Sequence, residues 1–231
     1  MDVSPSIVLA MWTGGMAGGG AIVAWWRVVG PGFTWLTGAV VALFGIGVAV
    51  FAGEPTGFVG VALAVGAMIV ARNQRLAAAF FAAAAIVLFI AALGTASDLG
   101  GSFFPTLTGT VFLGAITAEM MLGHWYLVDP RLPRWALQRL DLLAGAGLLG
   151  DFLWAVVNGA LDWVPTDAVL GWAFIALALF SFLLVVAVWY ALQEPNYTGV
   201  MAATGLSYLA VLTSFGVVVL GRILVSETGL L

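Results

Sequence analysis

Residues 118–135 read AEMMLGHWYLVDPRLPRW, and this stretch shows how the whole chain is organised. It begins in an apolar run that Glu119 interrupts, passes the only histidine of the sequence at position 124, and enters a short loop with two prolines and two arginines. Another apolar run starts directly after the loop. An apolar run, a basic turn and a second apolar run are typical of two membrane helices joined on the cytoplasmic side.

The composition extends this pattern to all 231 residues. Hydrophobic residues make up 63% of the chain and charged residues only 8%, whereas about a quarter of an ordinary soluble domain is charged. A membrane helix needs about 20 apolar residues, and turn-forming clusters divide the chain into eight segments of about this length. We therefore predict an all-α, polytopic membrane helix bundle with about eight transmembrane helices and short loops, forming a single integral membrane domain over residues 1–231.

The predicted spans are bounded by polar or turn-forming residues. They are Ser6 to Trp26, Phe33 to Ala52, Gly57 to Val70, Leu76 to Thr95, Phe103 to Leu127, Pro133 to Ala160, Ala168 to Gln193 and Tyr197 to Val225. The third is short for a full crossing. We expect the first span to be retained, because no positively charged segment precedes it as in a signal peptide.

The charged residues predict an orientation, because arginines concentrate in short cytoplasmic loops. With the N-terminus outside, one side receives Arg27, Arg72, Arg75, Arg131, Arg134 and Arg139, and the other receives Glu54, Asp98, Asp162 and Asp167. Only Arg222 lies in the outer half, where a possible ion pair with an outer acid would accommodate it. We expect N- and C-termini on the non-cytoplasmic side of a cytoplasmic membrane, with the lipid bilayer as the surroundings.

Several kinds of chemistry are excluded or disfavoured. Cysteine is absent and every basic residue other than the histidine is arginine, so the chain offers no thiolate for a metal and no lysine for a Schiff base. One histidine with scattered acids is a poor zinc site, and no GxSxG motif occurs. We predict no metal site, no nucleic-acid partner and, in the absence of a catalytic motif, a function that is not enzymatic.

Polar residues in the fifth span fall on two rows. At about 100° per residue, Thr108, Glu119 and Tyr126 share one line, and Thr117 and His124 share another with Thr110. A helix that is polar on two sides contacts neighbours on both, so we expect the fifth span to be central. Ionisable groups deep in a membrane face the bundle interior, form pairs or mark a pathway.

The sixth span adds Asp151 and Asn158, which are seven residues apart and nearly superposed on a helix. We predict a polar strip between spans five and six, formed by these two residues with Glu119, His124 and Tyr126. Asp141, His124 and Arg139 lie nearer the inner interface, where we expect them to reach water. Hydrogen bonds between helices would also explain Glu119, Asp151 and Asn158, and interfacial anchoring would explain His124.

Three functions remain open. The first is a small secondary transporter or an ion or proton pathway, in which Glu119 and Asp151 alternate in binding a proton or cation. The second is a membrane-embedded subunit of a respiratory-type complex, with a quinone or haem b near Glu119, His124 and Tyr126. The third is a non-catalytic membrane scaffold. The sequence requires no cofactor outside the second hypothesis, and it leaves open whether the partners are other membrane subunits or a homo-oligomer.

The first span contains two overlapping pairs of glycines, Gly14 with Gly18 and Gly15 with Gly19. Pairs with this spacing let helix backbones approach closely in lipid. They are consistent with tight packing inside one bundle, with a dimer face, or with a groove for a ligand.

Overall fold

The computed structural model describes residues 5–97, 103–162 and 167–227, and the regular structure within these ranges is entirely helical. Eight α-helices follow one another: α1 (Pro5–Trp26), α2 (Pro31–Phe51), α3 (Thr56–Ile69), α4 (Gln74–Ser97), α5 (Phe103–Tyr126), α6 (Arg134–Val157), α7 (Ala168–Gln193) and α8 (Tyr197–Glu227). A single 3-10 turn, Ala160–Asp162, follows α6. The predicted bounds differ from these by less than one helical turn. Asp98, which the charge pattern assigns to an outer loop, lies outside the described residues.

The helices have the length and composition of a multi-pass membrane protein. Within the described ranges, seven of them are long and apolar enough to cross a bilayer. The exception is α3, whose 14 residues extend only about 21 Å at 1.5 Å per residue, against about 30 Å for the hydrocarbon core. The prediction of an all-α polytopic membrane bundle is confirmed.

The eight helices pack as two rings of four. In the first ring α1 contacts α2 and α4, and α3 closes the ring between those two. In the second ring α5 contacts α6 and α8, and α7 closes it in the same way. The rings meet along α1 and α5. Helix α5 therefore has neighbours on both sides, which is the central position that its two polar rows predict.

Glycines explain why α1 and α5 can meet so closely. A Cβ atom placed on Gly15 would lie only 2.7 Å from the Cα of Gly114, and one placed on Gly19 would lie 2.5 Å from the Cβ of Ala118. Gly14 instead faces Leu88 of α4. The glycine pairs of the first span are thus used for packing inside the bundle, on two faces of α1.

One end of the bundle, which we call the arginine end, carries the α5–α6 loop and its arginines. There Arg134 donates hydrogen bonds to the carbonyl oxygens of Glu194, Pro195 and Asn196, the last two at 2.6 and 3.0 Å. Arg139 lies over the ring of Trp135, 4.6 Å from its centroid. The first contact ties the α7–α8 connection to α6, because arginine satisfies carbonyl groups that a helix end leaves free.

Candidate functional site

Glu119 lies inside the second ring of helices. It is seven residues from the end of α5, or about 10 Å along the helix axis, and only 1% of its surface is exposed. Its Oε1 atom lies 3.2 Å from the Oγ atom of Ser207 on α8. Its Oε2 atom is buried without a hydrogen-bond partner. The carboxyl group that interrupts the apolar run therefore points into the protein and not toward lipid or water.

The contacts of the Ser207 hydroxyl group bear on whether Glu119 carries a proton. The Ser207 Oγ atom also lies 2.9 Å from the carbonyl oxygen of Ala203, one turn earlier on α8. A serine hydroxyl has a single proton to donate, so it can serve Ala203 or Glu119 but not both. When the proton points to Ala203, the contact with Glu119 is a hydrogen bond only if Glu119 itself carries a proton.

Asp141 is the second carboxyl of this site, and sequence reasoning missed it. It lies on α6, which packs against α5, only 1% of its surface is exposed, and its Oδ1 atom has no hydrogen-bond partner. The expectation that Asp141 reaches water at the interface is wrong. It shares a helix face with the buried Leu137, Ala144 and Leu148, and this apolar spacing was the available signal.

Asp151, Thr108 and Arg222 form a separate polar cluster. Arg222 on α8 donates to both carboxylate oxygens of Asp151, at 2.9 and 3.2 Å. It also donates to the carbonyl oxygens of Pro105, at 2.7 Å, and Val218, at 2.9 Å. Thr108 donates a further, longer bond of 3.3 Å to Asp151. Arg222 therefore has a buried acid as its partner, and Asp151 is fully engaged by that arginine.

The two clusters lie at different levels of the same three helices. Ten residues of α6 separate Asp141 from Asp151, which corresponds to about 15 Å along the helix axis. Phe112 of α5 and Ala144 and Leu148 of α6 fill the level between them, and all three are buried in one apolar cluster. The polar residues thus form two clusters in the second ring, one around Glu119 and Asp141 and one around Asp151 and Arg222, with an apolar layer between them.

The remaining residues of the predicted strip do not join either of these two clusters. The side chain of Asn158 donates to the carbonyl oxygen of Trp154 in its own helix, at 2.8 Å. Tyr126 is buried in a different apolar cluster with Leu137 and Val200. Asn158 fails to align with Asp151 because α6 ends at Val157, so the helical spacing does not extend to it.

His124 lies about 140° around α5 from Glu119. It is exposed, and its Nδ1 atom lies 3.4 Å from the hydroxyl oxygen of Tyr208 on α8. Both residues line a cavity of about 280 Å³. Its exposure agrees with the predicted interfacial position, and its orientation separates it from the buried acids.

Together, the fold and the buried acids define a class: an all-α, multi-pass membrane bundle with ionisable groups in its interior. Within the described ranges no cluster of three or more histidine, cysteine, aspartate or glutamate residues could hold a metal ion. In comparisons with known proteins, the chain matches no family model and shows significant similarity to no curated protein and to no solved structure. A functional assignment must therefore come from the site.

Proposed function

We propose that this protein is a small proton pathway or proton-coupled secondary transporter, and that Glu119 and Asp141 together bind the proton that moves. The observation that carries the proposal is the arrangement of these two carboxyls. Each is buried, each has one oxygen without a hydrogen-bond partner, and neither has a salt-bridge partner among the described residues. Two such charges cannot both stay ionised at low cost, so a proton or a cation must accompany them.

Three features support a proton in that place. The Ser207 hydroxyl can satisfy both of its contacts only when Glu119 carries a proton. Two carboxyls that share one proton can pass it from one helix to the next, from Glu119 on α5 to Asp141 on α6. Both lie about two turns from the arginine end of their helices, so the proton has a short distance to travel to the interface.

Asp151 has a different part in this proposal from the one that the sequence suggests. Its charge is already neutralised by Arg222 through two hydrogen bonds, so it does not alternate with Glu119 in the described conformation. We place it and Arg222 at the closed end of the pathway, beyond the apolar layer around Phe112. Protons would cross that layer only when the three helices move apart, as alternating access requires.

The proposal includes a topology and a location. The arginine end faces the cytoplasm, both termini lie outside, and the chain forms one integral domain in a cytoplasmic-type membrane. The arginine distribution supports this orientation. Compact loops suit a secondary transporter, whose site lies inside the membrane and not in a separate soluble domain.

The test is proton flux into sealed vesicles that contain the purified protein and an internal pH-sensitive dye, driven by a potassium gradient with valinomycin. We expect Glu119→Gln and Asp141→Asn each to lower the flux at least about tenfold while yield and folding stay near normal, because both changes keep size but remove the exchangeable proton. Glu194→Gln, at an exposed position on the same end, is the matched control and should conduct like the unchanged protein. No protein-dependent flux, or full flux in Glu119→Gln, would contradict the proposal and favour a purely structural role.

A further inference from the structure

The cavity at His124 lies at the junction of the two helix rings. Trp12 of α1, Phe44 of α2, His124 of α5 and Tyr208 of α8 each contribute to its wall. Two helices of the first ring and two of the second thus surround one space. Glu119, Asp141 and Ser207 do not line it, so it is separate from the proposed proton site.

The walls of the cavity suit a flat, polarisable ring. Three of the seven methionines of the chain, Met16, Met120 and Met121, line it together with Trp12 and Phe44. The rings of Trp12 and Phe44 are in contact, with centroids 4.6 Å apart. Methionine sulfur and aromatic faces make favourable contacts with aromatic ligands, whereas a branched aliphatic wall would have no such preference.

Hydrogen-bonding groups lie at both ends of the cavity. His124 and Tyr208 are at one end, and their mutual contact of 3.4 Å is long for a hydrogen bond. At the other end, the indole nitrogen of Trp12 donates to Thr117 at 2.9 Å. Thr117 and His124 are seven residues apart on α5, which corresponds to about 10 Å. The Thr117 hydroxyl donates to the carbonyl oxygen of Leu113, at 2.7 Å, so both donors at that end are engaged. The groups left for a ring oxygen are His124 and Tyr208.

The cavity opens toward the surroundings of the bundle. Leu36 and Tyr208 line it, and they are 41% and 45% exposed. In a membrane protein such exposed side chains in a span face lipid, so the ligand would enter sideways from the bilayer. A volume near the lower end of that usual for ligand pockets fits a ring and leaves a long tail outside.

We infer that this cavity binds the head group of a membrane-soluble quinone or quinol, with a ring oxygen at Tyr208 and His124 and the tail in the lipid. Tyr208 and His124 replace their long mutual contact by direct bonds to the ring oxygen. The methionines and Trp12 pack on the ring faces. This inference does not depend on the proton pathway, because it rests on other residues.

The experiment measures saturable binding of radiolabelled decylbenzoquinone to the full chain in lipid nanodiscs, with empty nanodiscs subtracted. We expect saturable binding to the unchanged protein, weakened about five- to tenfold by Tyr208→Phe, as the loss of one hydrogen bond predicts. His124→Leu should have a similar effect. Decylbenzene, which has the ring and tail without the oxygens, should show no saturable binding.

A pair of matched variants tests the location. Val40→Trp fills this cavity, whereas Val111→Trp fills an apolar crevice on the other side of the α1–α5 contact. We expect Val40→Trp to abolish binding and Val111→Trp to leave it unchanged. Equal binding of decylbenzene, or binding that neither Tyr208→Phe nor Val40→Trp alters, would overturn the inference and identify a crevice for acyl chains. Tyr208 is half exposed and its change to Phe is mild, so this variant decides the matter even if Val40→Trp does not fold.

Discussion

Arg222 and Asp151 form a buried, two-pronged ion pair between α8 and α6, with N–O distances of 2.9 and 3.2 Å and only 8% of the arginine exposed. The two residues are 71 positions apart in the sequence. Because the arginine also donates to the main-chain carbonyl group of Pro105 on α5, the pair fixes the position of α8 against both α5 and α6. It accounts for the one arginine that the charge pattern leaves on the outer half.

Removing one partner of this pair should destabilise the protein strongly. Arg222→Met leaves the Asp151 carboxylate buried without its partner, which costs about 3 kcal/mol or more. The double variant Arg222→Met with Asp151→Leu removes both charges, and we expect it to recover most of that loss. Unfolding in detergent as a function of denaturant measures both. If the double variant loses as much stability as Arg222→Met and Asp151→Leu lose together, the ion pair itself is not the cause.

The close contact of α1 and α5 predicts a sharp difference between two glycines. In Gly15→Ala the new Cβ would collide with the main chain around Gly114, and we expect a loss of about 2 kcal/mol as overpacked sites show. Gly205→Ala is the matched change, because nothing lies within 4 Å of a Cβ placed at that exposed helical position. It should be neutral or stabilising by up to about 1 kcal/mol. Thermal unfolding of both variants in the same detergent tests this, and equal melting temperatures would refute the close packing.

The α5–α6 loop gives a prediction about pH. A side-chain hydrogen bond from Arg131, a backbone hydrogen bond from the same residue and its positive charge lower the pKa of Asp129 from the ordinary value for aspartate. The contact therefore favours the folded loop at neutral pH, and this contribution disappears as pH falls through the lowered pKa. Arg131→Gln should raise the pKa of Asp129 toward its ordinary value, measured by NMR titration of the carboxyl carbon. Because both groups are exposed, global stability should not change measurably. An unchanged Asp129 pKa in the variant would show that Arg131 does not contact it in solution.

The orientation can be tested with single cysteines, because the chain has none of its own. Val128 and Leu161 are exposed residues, 69% and 38%, in connections at opposite ends of α6. We expect a membrane-impermeant maleimide to label Leu161→Cys in intact cells, and Val128→Cys only after the membrane is opened. The reverse pattern would place the arginine end outside and invert the proposed direction.

The sequence predicts the helices well because apolar length and turn-forming residues determine them locally. It also predicts the central position of α5 from the two polar rows on that helix. Sequence reasoning places Asp141 too near the interface because Asp141 is close to the arginines along the chain. The buried Leu137, Ala144 and Leu148 share its helix face and indicate its depth. Partners on other helices were beyond reach: Ser207 is 88 residues from Glu119, and no local pattern joins them.

The cavity at His124 shows the same limit. The polar row containing Thr117 and His124 could be recognised on α5 alone. Tyr208 and Phe44 meet it only because α8 and α2 pack around the junction of the two rings. Tertiary packing thus decides which residues of the two predicted polar rows join a site.

The central claim is that Glu119 and Asp141 hold one exchangeable proton, and infrared spectroscopy tests it most directly. The measurement compares the carboxyl region of the unchanged protein at neutral pH with that of the double variant Glu119→Gln with Asp141→Asn, in lipid films before and after transfer to D2O. We predict that the difference contains one protonated carboxyl band and that this band shifts in D2O. A difference that contains only carboxylate bands would mean that both groups are ionised, and it would contradict the account.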